Sequence, residues 1–262
     1  MSHPLFQISN LSYSVEGKDI LNSLSLDIWK GDFLSIIGPN GGGKTTLIKC
    51  IIQILKANSG SIFFDNFPIH NFRTKDIAKN ISYVPQVSEN TFPLTAKEFL
   101  MLARYPHISR FTSTRKADLK AVAEAFEVTE TSSLANREMN TLSGGEKQMV
   151  FIAAALAQGG DVIILDEPAT FLDPKHEHNI YQILKKIHNQ SDKTIISVTH
   201  NINSAILYSD KIAILKDGKI VFSGNSSDVT EGNILENTYN KKFTFVKHPD
   251  CDKHIILPEV IK

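Results

Sequence analysis

Three stretches of this 262-residue chain are apolar almost without interruption: Phe33-Leu34-Ser35-Ile36-Ile37, Val162-Ile163-Ile164-Leu165 and Thr194-Ile195-Ile196-Ser197-Val198. Strands buried on both faces of a parallel sheet have this pattern, so these are expected to form the centre of an α/β core. Phe6-Gln7-Ile8-Ser9-Asn10-Leu11-Ser12-Tyr13 and Leu24-Ser25-Leu26-Asp27-Ile28 alternate apolar with polar instead. Alternation of this kind predicts half-buried antiparallel strands, here an N-terminal β subdomain closed by Gly31-Asp32. From roughly Thr95 to Leu156 the period changes to that of a helix, with Leu119, Val122 and Phe126 about a turn apart. That stretch predicts a helical subdomain, spanning about 88–156, inserted into the core. Lys211 to Leu215 and Lys219 to Phe222 flank Asp217-Gly218, a dipeptide that favours the tight turn of a hairpin.

Composition narrows the class. With 42% hydrophobic and 21% charged residues the chain can bury a sizeable core. Lys plus Arg and Asp plus Glu both total 28, so the broad basic field of a nucleic-acid binder is missing and no nucleic-acid partner is expected. No run is long and charge-free enough to span a bilayer, and Met1 to Phe6 do not open a secretion signal. Two cysteines, Cys50 and Cys251, are too few for a disulfide framework and fit free thiols in a reducing compartment.

The first chemistry follows the strand ending at Ile37. Gly38-Pro39-Asn40-Gly41-Gly42-Gly43-Lys44-Thr45, continued by Thr46 and a helical run through Leu47, Ile48, Ile51 and Ile52, satisfies the phosphate-loop pattern. Backbone N–H groups must meet phosphate oxygens at close range, which calls for glycines, and the helix start adds partial positive charge. Lys44 is expected to reach the β- and γ-phosphates and the Thr45 hydroxyl to coordinate Mg²⁺. A glycine-rich turn that binds nothing is the alternative, and strand, loop and helix in that order argue against it. The strand Val162 to Leu165 delivers Asp166 and Glu167 at its C-terminal end, where open parallel sheets hold their ligands. Asp166 suits the Mg²⁺ side and Glu167 suits polarisation of an attacking water.

Leu142-Ser143-Gly144-Gly145-Glu146 then precedes a helical run from Gln148 to Leu156. Taken alone this is a Ser-Gly-Gly helix cap. In the order phosphate loop, pentapeptide, acidic strand, it resembles the signature of the ATP-binding cassette family, and the resemblance covers roughly residues 5 to 240. It implies a P-loop NTPase core at 1–240 with a C-terminal extension at 241–262, ATP and Mg²⁺ as cofactors, and ATP hydrolysis. It also implies a second copy of the chain, because in that family Ser143, Gly144, Gly145 and Glu146 of one subunit would close over the nucleotide held by the other.

The resemblance assigns further positions. Tyr13 matches the aromatic that stacks on adenine, with inward packing on its strand as the competing reading. Gln86, after Ile81-Ser82-Tyr83-Val84-Pro85, matches the glutamine that contacts Mg²⁺ and water. Asp173, in Thr170-Phe171-Leu172-Asp173, matches the loop that crosses the dimer, although Ser is commoner than Thr170 there. His200 matches the switch histidine at the γ-phosphate. Met149 and Ala154 depart from the family's usual Arg, outside the nucleotide positions.

A single cassette without membrane helices resembles the separate ATPase subunit of a bacterial importer. Expected partners are integral permease subunits and, indirectly, a solute-binding protein, with the chain peripheral on the cytoplasmic face of the inner membrane. Ala103-Arg104-Tyr105-Pro106-His107 resembles a segment of importers for iron-siderophores, haem and vitamin B12, with Ala103 replacing Gly. Zinc, manganese or oxyanion importers are the alternatives, and a soluble non-transport ATPase is a further one. His248-Pro249-Asp250-Cys251-Asp252-Lys253-His254 reads as a polar tail rather than a metal site, because it lacks a second ligand pair.

Overall fold

The alternating N-terminal segments pair antiparallel in the computed structural model, which describes residues 3–86, 92–108 and 115–257, as β1 (Phe6–Val15) and β2 (Lys18–Ile28). Phe6 sits opposite Ile28, Ile8 opposite Leu26 and Leu11 opposite Leu24, so the apolar positions of both strands share the buried face. The spacing from Ile8 to Leu11 breaks the two-residue period, and the structure accommodates it with a register shift and a left-handed Asn10 (φ 50°). β3 (Phe33–Ile37) is buried throughout and leads through the glycine loop into α1 (Lys44–Ile51). β4 (Ser59–Phe64) and β5 (Phe67–Pro68) extend the N-terminal sheet to the order β2-β1-β4-β5. Gly60 lies where a Cβ would come within 2.4 Å of the Asn10 carbonyl oxygen, so the bulge requires glycine on the neighbouring strand.

α2 (Thr74–Asn80) and β6 (Ile81–Val84) are followed by three helices of the lobe, α3 (Ala96–Ala103), α4 (Lys116–Val128) and α5 (Gly144–Gln158). The position 88 expected as the lobe's start lies outside the described residues. Leu100, Val122, Phe126, Val150 and Ala153 fill the lobe's core, and the rings of Phe92, Phe99 and Phe151 meet edge to face with centroids 5.0–6.0 Å apart. Leu119 is 48% exposed, and Asp118 is buried in its place because it has specific partners there. Then come β7 (Val162–Asp166), parallel to β6, α6 (Pro174–Ser191) and β8 (Thr194–Val198).

The remaining elements are α7 (Ile202–Tyr208), β9 (Lys211–Lys216), β10 (Lys219–Asn225), α8 (Ile234–Tyr239), β11 (Thr244–Lys247) and β12 (His254–Leu257). Asp217 and Gly218 both have positive φ, the geometry of a primed hairpin turn. By compactness the chain forms two units, one comprising residues up to Asn71 and from Ile196 onward, the other Phe72–Ile195. In the first, β3 lies between β9 and β8, parallel to β9, with β10 beyond.

The last residues are more than a tail. β11 and β12 pair as an antiparallel hairpin, and Ile256 joins Ile206, Ile212, Val229 and Leu235 in an apolar cluster. Asn203 of α7 donates to the Ile256 carbonyl (3.0 Å) and accepts from its N–H (2.7 Å). Lys253 Nζ donates to the carbonyls of Ile206, Leu207 and Ser209 at 2.7–3.1 Å, closing the C-terminal end of α7. His248 and Cys251 stand at the hairpin's turn, and among the described residues no three His, Cys, Asp or Glu side chains gather as metal ligands.

Candidate functional site

The phosphate loop belongs to the first unit, where neighbouring backbone dictates its glycines. Gly38 has φ 146°, and a Cβ there would lie 1.9 Å from the Leu215 carbonyl oxygen. At Gly43 (φ 100°) a Cβ would approach the Ile20 oxygen to 2.7 Å and Leu21 Cδ2 to 2.9 Å. The loop therefore lies directly on β9 and the start of β2, which leaves its opposite face for a ligand's oxygens. Pro39 accepts from the Gly42 N–H (3.2 Å), and Gly43 caps α1. Lys44 Nζ turns back into the loop, donating to the carbonyls of Gly38 (2.8 Å) and Pro39 (2.9 Å). Its charge is thus held inside the ring of loop amides, nearly buried.

His200 is exposed beyond β8. Thr199, buried beside it, donates its N–H to the Ile36 carbonyl (3.2 Å), one residue before the end of β3, and its hydroxyl accepts from the Asn201 N–H (3.1 Å). Asn201 in turn caps α7 through Ser204 N–H (3.1 Å). These bonds fix the backbone on both sides of His200 at the same end of the sheet as the loop. Tyr13 is partly buried on β1 opposite Leu21, neither fully packed nor fully open.

In the second unit the acidic pair ends β7. Asp166 is buried, and the Tyr83 hydroxyl donates to its Oδ2 (3.4 Å). Burial first and the Asp166 charge second push the Tyr83 hydroxyl up to about 12, so it remains a proton donor at neutral pH. Glu167 takes a left-handed backbone (φ 52°), unusual for a non-glycine residue, which turns its side chain out of the strand's alternation. Its Oε2 accepts from Gln86 Nε2 (3.2 Å) and from the Thr170 hydroxyl (2.9 Å). Gln86, Glu167 and Thr170 thus form one bonded group, with Tyr83 and Asp166 on the adjoining strands.

The pentapeptide is a helix start, and α5 begins at Gly144, four residues earlier than the hydrophobic run suggests. Ser143 is the N-cap. Its Oγ accepts from the Glu146 N–H (3.3 Å), while its N–H and hydroxyl donate to Glu146 Oε2 at 2.8 and 2.9 Å. Arg137 donates to Glu146 Oε1 (2.7 Å). The Ser143 amide and hydroxyl, with Arg137, hold the Glu146 carboxyl below the usual range. Glu146 is therefore engaged in supporting the cap and takes both donors of Ser143, while Gly144 beside them is exposed and Gly145 buried. Asp173 caps α6, its Oδ1 accepting from the His176 N–H (3.0 Å).

The segment Ala103 to His107 also has a definite structural place. Arg104 donates to Asp118 Oδ1 (3.0 Å), Ala157 O (2.7 Å) and Gln158 O (3.2 Å), and His107 Nε2 meets Gln158 O (2.7 Å). Both side chains close the far end of α5, while Tyr105 is 72% exposed and Leu102 60%.

Sequence reasoning did not nominate Tyr83, Thr170, Leu215 or His176 as site residues. Leu215 and His176 act through space, and nothing in their local sequence announces it.

A family model for ABC transporters matches residues 21–170. The chain is 35% identical over 238 residues to the iron(3+)-hydroxamate import ATP-binding protein FhuC of Bacillus subtilis, covering 91% of this chain and 88% of the relative. It is 31% identical over 239 residues to the ferric enterobactin transport ATP-binding protein FepC of Escherichia coli, covering 91% and 88%. Among solved structures it resembles the dimeric post-hydrolysis ATP-binding cassette MJ0796 bound to ADP and Pi, with a TM-score of 0.73 and 31% identity over 84% of this chain and 98% of that one. It also resembles cbiO1 of Clostridium perfringens, part of the cbiONQ transporter complex, with a TM-score of 0.79 and 28% identity over 91% and 95%. A glycine loop that cages a lysine, an acidic strand end and a Ser-Gly-Gly helix start are the parts an ATP-hydrolysing cassette needs, and with these likenesses they show that the chain belongs to the ABC transporter ATPase family.

Proposed function

We propose that this chain is the ATP-hydrolysing subunit of an ABC importer for an iron-siderophore or a related metal chelate such as haem or vitamin B12, docked on permease subunits at the cytoplasmic face of the membrane. The observation that carries the ATPase chemistry is Glu167, left-handed in its backbone and with its carboxylate held by Gln86 and Thr170. A carboxylate so fixed, at the end of a strand whose last residue is a buried aspartate, suits the polarisation of an attacking water. Gly38, Pro39, Asn40, Gly41, Gly42, Gly43, Lys44, Thr45 and Thr46 bind the phosphates in this reading, Tyr13 meets the adenine, and His200 meets the γ-phosphate. Thr45, Gln86 and Asp166 would hold Mg²⁺ in this reading, and a hydroxyl, an amide and a carboxylate oxygen are each the hard donor that this ion takes. When bound, Mg²⁺ neutralises charge on the β- and γ-phosphate oxygens.

Two copies of the chain complete the site, Ser143, Gly144 and Gly145 of one facing the nucleotide of the other, with Asp173 at the crossing loop. Phe171 supports this, because its ring is 93% exposed on a backbone of φ 65°. A bulky apolar side chain in that conformation is a poor choice for a loop that meets only water. Glu167→Gln is therefore expected to keep ATP affinity, nearly stop turnover and yield a stable ATP-bound dimer on gel filtration with light scattering.

Support for the importer comes from the named relatives, an iron(3+)-hydroxamate import ATP-binding protein and a ferric enterobactin transport ATP-binding protein. No helix among the described residues is long and apolar enough to cross a membrane. Tyr105 and Leu102, exposed on the lobe segment whose Arg104 and His107 grip α5, form the surface we assign to the permease. Affinity purification from solubilised native membranes tests the assignment. Recovery of a many-spanning permease supports it, and recovery of soluble partners alone overturns it. Loss of uptake of a radio-iron chelate on deletion, with zinc and molybdate uptake intact, tests the cargo.

A further inference from the structure

The signature glycines touch side chains of their own subunit. A Cβ on Gly145 would lie 2.4 Å from His176 Cδ2, 2.7 Å from Cγ and 3.0 Å from Nε2, so the imidazole occupies the space beside this glycine. A Cβ on Gly144 would lie 3.7 Å from Leu172 Cδ2, an ordinary contact. His176 is also bonded twice to Asp173, its backbone N–H to Oδ1 (3.0 Å) and its ring Nδ1 to Oδ2 (2.7 Å). Those two bonds, the backbone one first, hold the Asp173 carboxyl below the usual range. One side chain therefore grips the loop ending at Asp173 and packs on the helix start at Gly145. His176 and Gly145 both line a cavity of about 570 Å³, bordered also by Glu146, Asn179, Gln182 and Lys186.

We propose that His176 is a positioning residue that locks the Thr170–Asp173 loop to the start of α5, so that the two segments assigned to the partner subunit move as one body. The proposal rests on the two-copy reading above. The physical case is one of packing and pairing. Asp173 alone could cap α6 with any residue but proline at 176, because the cap uses only the backbone N–H. The imidazole adds the second bond and the contact with Gly145, neither of which α6 needs for its own formation. Glycine at 145 is then required from inside the subunit as well as by the approach of a phosphate. A methyl there must displace the ring, and the cavity that both residues line gives the side chain room to move, at the expense of its bond to Asp173.

The test uses the full chain carrying Glu167→Gln, with and without His176→Ala, His176→Asn and Gly145→Ala, and the same substitutions in the parent for kinetics. His176→Ala is expected to leave ATP affinity of the monomer unchanged while raising the ATP concentration for dimer formation and lowering kcat by about tenfold, the size of a coupling of about 1.4 kcal/mol. His176→Asn, which can place a donor near the Nδ1 position, should recover most of that loss. Gly145→Ala combined with His176→Ala should be no worse than the more damaging single change, because both break the same contact. Hydrogen exchange on the nucleotide-free protein should show His176→Ala accelerating the amides of Thr170–Asp173 and of Ser143–Glu146 together. Parental dimerisation and kcat in His176→Ala, or acceleration in only one of the two segments, overturns the proposal. If the Glu167→Gln protein itself stays monomeric with ATP, the two-copy reading falls instead, and the exchange of the two segments alone decides the role of His176.

Discussion

Replacing Arg104 by Met is expected to be among the more damaging changes away from the nucleotide. The guanidinium is nearly enclosed, with 11% side-chain exposure against 5% for its partner Asp118. Its Nε holds Asp118 Oδ1, and Nη1 reaches two carbonyls of the last turn of α5, Ala157 at 2.7 Å and Gln158 at 3.2 Å. Met fills much of the stem's volume, so the loss is chiefly of charge and hydrogen bonds. Breaking a buried pair by removing one partner costs about 3–5 kcal/mol, since the other charge remains uncompensated. Here Asp118 keeps the Arg115 N–H at 3.0 Å, and His107 still meets Gln158, which moves the expectation to the lower end, about 3 kcal/mol. For a chain of this size that corresponds to roughly 6–12 °C in Tm. Urea titration followed by circular dichroism measures it, with Asp118→Asn and the double variant closing a cycle. A loss below about 1 kcal/mol, or strictly additive single losses, refutes the reasoning, because it means the pair is solvated and the end of α5 is capped by something else.

Four shorter expectations accompany it. Lys44→Ala should weaken nucleotide binding itself, read as a large rise in Kd for a fluorescent ATP analogue, because the charge caged by Gly38 and Pro39 is removed. Gly38→Ala should cost about 3 kcal/mol or more, with a Cβ thrust against the Leu215 carbonyl, whereas Gly41→Ala, with open space around it and only its φ of 77° to resist, should cost about 1 kcal/mol; thermal melts compare them. Asp118 has its pKa lowered, by the Arg115 N–H first and Arg104 among the further causes, so its contribution is fully present above the unfolded value near 3.9 and is lost as pH falls through the lower folded value. Acid titration of the parent and of Asp118→Asn should therefore diverge above about pH 4 and converge below it. Lys253→Met removes three carbonyl bonds from the end of α7 and should free the C-terminal hairpin, seen as faster amide exchange at Ile255 and Ile256 and a loss of about 2 kcal/mol.

Where local sequence carries the physics, the chain is legible. The continuous apolar runs became β3, β7 and β8, and Asp217-Gly218 became the turn of β9 and β10, because burial on two faces and positive φ each leave a residue-level mark. The glycine loop was legible for the same reason, yet its strictness was not, since the carbonyl that forbids a side chain at Gly38 comes from Leu215, far along the chain. Leu119 illustrates the converse failure. Its spacing with Val122 and Phe126 predicts burial, but a helix face is chosen by its partners, and Arg104 supplies Asp118 with an ion pair that makes the polar residue the buried one. The anchoring of the C-terminal hairpin was illegible for a similar reason, because hydrophilic composition at His248 to His254 gives no hint that Lys253 fits the end of α7. The same separation explains the segment Ala103 to His107. Of the four residues that carry its likeness to importer sequences, Arg104 and His107 make internal bonds, at the end of the helix that Ser143 caps. In physical terms the segment is a clamp on the last turn of α5 that leaves Tyr105 outward, and such a clamp, built from side chains 51 to 54 residues before the carbonyls they hold, leaves no mark in the local pattern.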